Sequence, residues 1–242
     1  MTGFFMAWGM FCAIPCPRKV WDSEKYPRML LSLPLIGLML GVLWALVGLL
    51  AVKLGLLGAA LMAVVPALLS GFIHLDGYMD CADAVLSRRD LEKRRAILKD
   101  SHVGAFAVIA FGLWLVLGFA AFASLDVEKI LPVLPFIPAV CRGCSATAVL
   151  SFAPMSTSGY ASLPESVKPR HKWLALGETM AFAALAVLVG GVSGCAAVFG
   201  AIGSWAAIHA LRRDLQGMSG DISGCAITVG ELCAAMALVI LS

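Results

Sequence analysis

Three carboxylates, Asp76, Asp80 and Asp83, fall within eight residues of the stretch GFIHLDGYMDCADAVLSRRDLEKRRAILKDSHVGAF, Gly71 to Phe106. Offsets of four and three put all three on one face of an α-helix. No Lys or Arg lies between Gly71 and Leu86 to neutralise them, so the like charges must repel or share a cation. Hard divalent ions take oxygen ligands, and Mg²⁺ joins carboxylates to substrate phosphates while keeping some of its waters. That chemistry suits displacement at phosphorus, where a metal screens phosphate charge and a carboxylate takes the proton of the nucleophile. The plainer alternative is a solvated helix face beside a membrane span. Against it, Phe72, Ile73, Leu75, Tyr78, Met79, Ala82, Ala84 and Val85 leave the acids as the only charged groups of that helix. Gly77, beside Asp76, lets a phosphate approach the backbone. His74 is open to two readings, a general base or a helix-start residue bonded to the backbone.

The same stretch ends in Lys99-Asp100-Ser101, with Gly104 opening the next apolar run; a helix N-terminus there favours an anion. The intervening Arg88, Arg89, Lys93, Arg94 and Arg95 read mainly as a topology signal touching lipid headgroups. Arg142 and Glu231 are different, because both lie inside apolar runs. At about 1.5 Å per residue each sits on the order of 15 Å from the nearer helix end, where charges pair or face a polar cavity. Two readings stand open: an Arg142–Glu231 ion pair, or Arg142 reaching toward a substrate phosphate. The Cys141-x-x-Cys144 pair has no second pair at metal-ligand spacing and reads as helix packing.

A composition of 61% hydrophobic and 14% charged residues places the chain in the membrane class. Residues 1–17 are apolar but short and end in Pro15 and Pro17, which predicts a re-entrant or interfacial segment. Spans are expected over Leu31–Val52, Leu54–Gly71, Gly104–Leu125, Ile130–Ala153, Trp173–Val192, Ser193–Leu211 and Ile222–Ser242. The expected fold is all-α, a polytopic membrane bundle of about seven transmembrane helices in a single domain over 1–242, with a cytoplasmic motif segment at 72–103. Gly37 with Gly41, and Gly190 with Gly194, are small-residue pairs for helix packing. Lys and Arg in successive connecting segments number four, one, six, one, three, none and two, an alternation that puts the N-terminal segment in the cytoplasm. Asp76, Asp80, Asp83, Asp100, Glu165, Asp214 and Asp221 then face the cytoplasm, and Asp126 and Glu128 the far side. A polar segment, Pro154 to Lys172, carries Ser156, Thr157, Ser158 and Gly159. The small net charge of +3 gives no reason to expect nucleic acid.

HLDGYMDCADAV (His74 to Val85) and LKDSHVGAF (Leu98 to Phe106), separated by a basic spacer, resemble the paired signature of the cobalamin synthase family, adenosylcobinamide-GDP ribazoletransferase. PLIGLMLG (Pro34 to Gly41) and GDISG (Gly220 to Gly224) leading to Glu231 extend the resemblance over most of the chain. It implies an integral enzyme of the plasma or inner membrane that joins adenosylcobinamide-GDP to α-ribazole or its 5′-phosphate. The products are adenosylcobalamin or its phosphate, with GMP released and Mg²⁺ assisting. Carried over, Asp76, Asp80 and Asp83 hold Mg²⁺ on the pyrophosphate, Asp83 or Asp100 is the base, and Lys99 stabilises the leaving GMP. Gly77, Ser101, His102, Arg142, Asp221 and Glu231 complete the ligand-binding candidates. Membrane lipid is the expected surrounding, and a homo-oligomer is an open partner. This chain departs from the pattern at His102, where Arg is expected, at Ser223, where an apolar residue is expected, and at Ile227-Thr228, where Asn-Glu is expected. The histidine makes a phosphate contact there pH-dependent, given a reference pKa of about 6.5.

Two other classes compete. A CDP-alcohol phosphotransferase of lipid synthesis also uses an Asp-Gly-led acidic helix, but Asp80-Cys81 stands where that class wants Ala-Arg. A non-enzymatic transporter calls for carboxylates near the midplane and matching interrupted halves. Here the acids gather at one face.

Overall fold

A computed structural model describes residues 1–155 and 166–242; Ser156, Thr157, Ser158, Gly159 and Glu165 lie outside the described residues. Among the described residues all regular elements are helical, with one isolated bridge between Pro154 and Met218. In chain order they are α1 (Thr2–Phe11), α2 (Tyr26–Leu31), α3 (Leu33–Ala51), α4 (Leu56–Leu69), α5 (Ile73–Leu86) and α6 (Leu91–Ile97). There follow α7 (Ala105–Ala123), α8 (Val127–Ile130), α9 (Phe136–Ser151), α10 (Pro169–Gly190), α11 (Cys195–Leu215) and α12 (Gly220–Leu241).

Among the described residues five helices are long and apolar enough to cross a bilayer: α3 with its 3₁₀ extension to Leu54, α7, α10, α11 and α12. The protein is an integral membrane protein. Counting α4 and α5 as one broken span gives six, against the seven expected. The remaining expected span, Ile130–Ala153, contains a helix only from Phe136. Pro132 and Pro135 lack the N–H that a helix ladder requires, and the chain before α9 runs in tight turns such as Val133 N to Ile130 O and Phe136 N to Val133 O, both 3.0 Å.

The break between α4 and α5 comes from local chemistry. Gly71 at φ 63° leaves α4, donating to Leu68 O at 3.1 Å, while Phe72 N donates to Ala67 O at 2.8 Å. Together these bonds form a Schellman cap, which satisfies the last carbonyls of α4. Phe72, also left-handed at φ 62°, then starts α5 by accepting from Asp76 N at 2.9 Å, and the two helix axes meet at 92°.

Glycines let the helices approach closely. Gly37 and Gly41 of α3 leave no room for a Cβ against the backbone of Pro138 and Pro135 on the α9 segment. Gly190 packs on Val133, and Gly194 on the backbone of Ala186 and Val187 at the α10–α11 turn. Both small-residue pairs therefore serve packing, as expected. Cys141 and Cys144 are buried and free, with Cys141 lodged where Gly200 of α11 meets Gly230 of α12.

In the centre, Arg142 of α9 lies 2.7 Å from Glu231 of α12, with the arginine side chain 1% exposed. This resolves the two readings of Arg142 in favour of pairing. Its guanidinium also reaches Pro138 O at 3.5 Å. Removing one partner of such a pair strands the other charge in an apolar core. Glu231→Gln or Arg142→Met alone should therefore cost about 3–5 kcal/mol in thermal unfolding of the protein in nanodiscs, and the joint replacement Arg142→Met with Glu231→Leu should recover most of it.

Candidate active site

α5 carries the acidic face, and neighbouring elements hold it in place. Asp83 accepts hydrogen bonds from Gly104 N (2.6 Å) and Ala107 N (2.9 Å), the N-cap and third amide of α7. A carboxylate supplied 21 residues earlier in the chain thus caps α7, satisfying amides that a helix start leaves free and meeting its positive dipole end. Further along the pair, Tyr78 Oη donates to Ala110 O at 3.3 Å. α5 therefore lies antiparallel along α7, with its C-terminal end at the start of α7.

On the other side, α5 packs on α12. A Cβ added at Gly77 would come within 2.8 Å of Asp221 O, so the space left by this glycine is filled by α12. The expectation that Gly77 admits a phosphate is corrected on that ground: its role is to bring Asp221 alongside. Asp221 sits in the first turn of α12, after Ser219, which caps Ile222 N at 3.2 Å. Asp76, Asp83 and Asp221 all lie close enough to repel Asp80 electrostatically. Among the described residues no Lys or Arg forms an ion pair with any of the four. Asp76 is exposed and also lines a hollow of about 460 Å³ with Ser70, Gly71 and Phe72 at the α4–α5 bend.

The donor set is all oxygen and suits a hard divalent cation. Yet among the described residues no three His, Cys, Asp or Glu side chains form a ready-made cage. The expected triad is not preformed, since Asp83 is turned to the α7 amides. Two carboxylates completed by phosphate oxygens and water remain a fitting arrangement for Mg²⁺.

Lys99 and Asp100 are exposed in the link between α6 and α7, as is Ser101. Lys99 makes no ion pair with the α5 acids among the described residues. Asp100 Oδ1 accepts from His102 N at 3.0 Å and lies 2.6 Å from His102 Nδ1. The hydrogen bond to the carboxylate raises the His102 pKa, and the imidazole in turn lowers that of Asp100. His74 is buried, stacked on Phe11 at 5.8 Å, with Nε2 unbonded. Its main chain packs against Gly224 of α12.

Sequence reasoning missed three features. Arg95 of the basic run donates to Leu215 O (3.0 Å) and Gln216 O (2.9 Å), capping the C-terminus of α11; the run is more than a topology signal. Ser223, a departure from the family pattern, bonds to Ser145, while Ile227 and Thr228 are buried. Glu178 lies within α10 with Oε2 buried and unbonded, an intramembrane carboxylate visible from the sequence alone.

The Asp100–His102 pair is complete between the depressed carboxylate pKa and the raised imidazole pKa. It fades as pH rises through the latter, where His102 loses its proton. Asp100→Asn should return the His102 titration, followed by NMR of ¹⁵N-histidine-labelled protein, to a lower pH; an unchanged titration would show that the carboxylate does not hold the imidazolium.

The profile of the family described as cobalamin-5-phosphate synthase matches residues 3–239. A Clostridium perfringens (strain 13) protein named adenosylcobinamide-GDP ribazoletransferase is 35% identical over 233 residues, 93% of this chain and 92% of its own length. A protein of the same name from Clostridium botulinum (strain Alaska E43) is 31% identical over 239 residues, covering 95% and 94%. One from Desulfitobacterium hafniense (strain Y51) is 33% identical over 228 residues, covering 90% and 88%. No solved structure matches the chain. With the match running through α5, the α6–α7 link and α12, the chain belongs to the cobalamin-5-phosphate synthase family.

Proposed function

We propose that this protein is a Mg²⁺-dependent transferase that joins adenosylcobinamide-GDP to α-ribazole or α-ribazole 5′-phosphate and releases GMP. The observation that carries the reading is the convergence of Asp76, Asp80 and Asp221 at one end of the bundle, without a described basic partner, beside a link that Asp83 ties down. The names of the relatives supply the nucleotide substrate, and the family description agrees with a phosphorylated product. Bound Mg²⁺ would screen the pyrophosphate and polarise its phosphorus. Asp76 and Asp80 are the residues to hold it, with Asp221 from α12 adding negative charge.

The protein's own groups account for the remaining work. Displacement at phosphorus needs the attacking ribose hydroxyl to lose a proton. Both oxygens of Asp83 already accept amides, whereas Asp100 uses Oδ1 alone, so Oδ2 of Asp100 is the base of choice. Lys99 and the imidazolium of His102 lie on the same link to offset the charge of departing GMP. The alternation of Lys and Arg between spans supports a site open to the cytoplasm from the plasma membrane.

Protein in nanodiscs, given Mg²⁺, adenosylcobinamide-GDP and α-ribazole 5′-phosphate, should release GMP. Asp80→Asn should lower that release by about 10²-fold or more while the helix content stays unchanged. Turnover of a CDP-activated lipid instead would overturn the choice of substrate.

A further inference from the structure

The N-terminal 21 residues enclose a cavity that the acidic site does not use. α1 and the segment that folds back along it frame a groove of about 710 Å³, lined among others by Phe5, Gly9, Ile14, Lys19 and Trp21. Trp8 Nε1 donates to Ile14 O at 2.9 Å, Cys16 Sγ donates to Arg18 O at 3.2 Å, and Ala13 N donates to Leu69 O at 2.8 Å. The last bond fastens the groove wall to the end of α4, directly before the bend. The groove and the hollow containing Asp76 share Met10, Cys12 and Ala13 as a common wall. An apolar concavity of several hundred Å³ is the usual form of a site for an organic ligand.

We propose that this groove seats the corrin macrocycle of the nucleotide-activated substrate, while the diphosphate of the same molecule crosses the shared wall to Asp76 and Asp80. The proposal rests on the substrate reading above. A ligand that joins a broad, flat macrocycle rimmed by amides to a diphosphate needs a wide groove for the ring and a phosphate site directly beside it. The two adjoining cavities offer that pairing. Trp21, 61% exposed at the rim, supplies a flat apolar face to the ring. A lipid chain would use the apolar bed but has no call on the neighbouring carboxylates.

Gly9 lines the groove and is exposed, and a Cβ added there would meet only Cys16 Cβ at 3.9 Å, so a side chain can start from this position without displacing backbone. Wild type, Gly9→Phe and Trp21→Ala would be titrated in nanodiscs with cobinamide lacking the nucleotide, with Mg²⁺–GDP, and with adenosylcobinamide-GDP. The expected result is that Gly9→Phe weakens cobinamide binding by about tenfold or more, that Trp21→Ala weakens it severalfold, and that Mg²⁺–GDP binding is unchanged in both. Trp21 is on the surface, so its variant keeps the test valid if Gly9→Phe does not fold. Cobinamide affinity equal to wild type in the folded variants, or a groove filled by co-purified lipid that cobinamide does not displace, would overturn the proposal. Wild type that turns over adenosylcobinamide-GDP yet binds no cobinamide would also overturn it. Wild type that neither binds nor turns over adenosylcobinamide-GDP would remove the substrate reading itself, and the groove assignment with it.

Discussion

The carboxylate of Asp83, held between the amides of Gly104 and Ala107, is the contact on which the acidic end of the molecule depends. It does two things with one side chain. It ends the search of the exposed basic link for a position by fixing the residue where that link becomes α7. It also aligns α5 along α7, so that Asp80 and Asp76 stand about one and two turns back from a fixed point. A charged acceptor on main-chain amides is among the stronger hydrogen bonds available to a protein. The bonds are paid for twice over, because they also cap a helix that has no capping side chain of its own.

The opposite design rule governs the centre. There Arg142 and Glu231 bring α9 and α12 together through full charges with little contact with water, and α3 approaches the α9 segment through glycine against backbone. These contacts tolerate little adjustment, since cores and buried pairs have one good arrangement. The result is a stiff bundle bearing a less constrained end. Asp76, Asp80 and Asp221, which have no ion-pair partner among the described residues, gather at that end, where an outside cation or substrate can complete them.

How much of this was legible beforehand depends on the range of the interaction. The acidic face of α5 follows from spacing alone, and the apolar runs give most spans within a few residues. The start of α9 was misplaced because prolines within an apolar run do not change its hydropathy, although they do remove backbone donors. The bend at Gly71–Phe72 had a signal in the glycine, but the left-handed phenylalanine after it had none. Gly77 was misread for a related reason: a missing side chain announces a close approach without saying what approaches. Asp83 as a cap and Arg95 as a cap on α11 both depend on partners more than 20 residues away, which no local pattern encodes. Arg142 and Glu231 were the exception, since two opposite charges at similar depth in apolar helices have few places to go.

The Gly77–Asp221 contact sets the scale of the site in a way that side chains cannot. α5 and α12 touch there through main chain, with no room for even a methyl group between them. The separation of acids carried by the two helices is therefore gauged by peptide against peptide, a stop that no rotamer change can move. Variation within such a site is confined to which groups project from the two backbones, while the distance between the backbones stays constant.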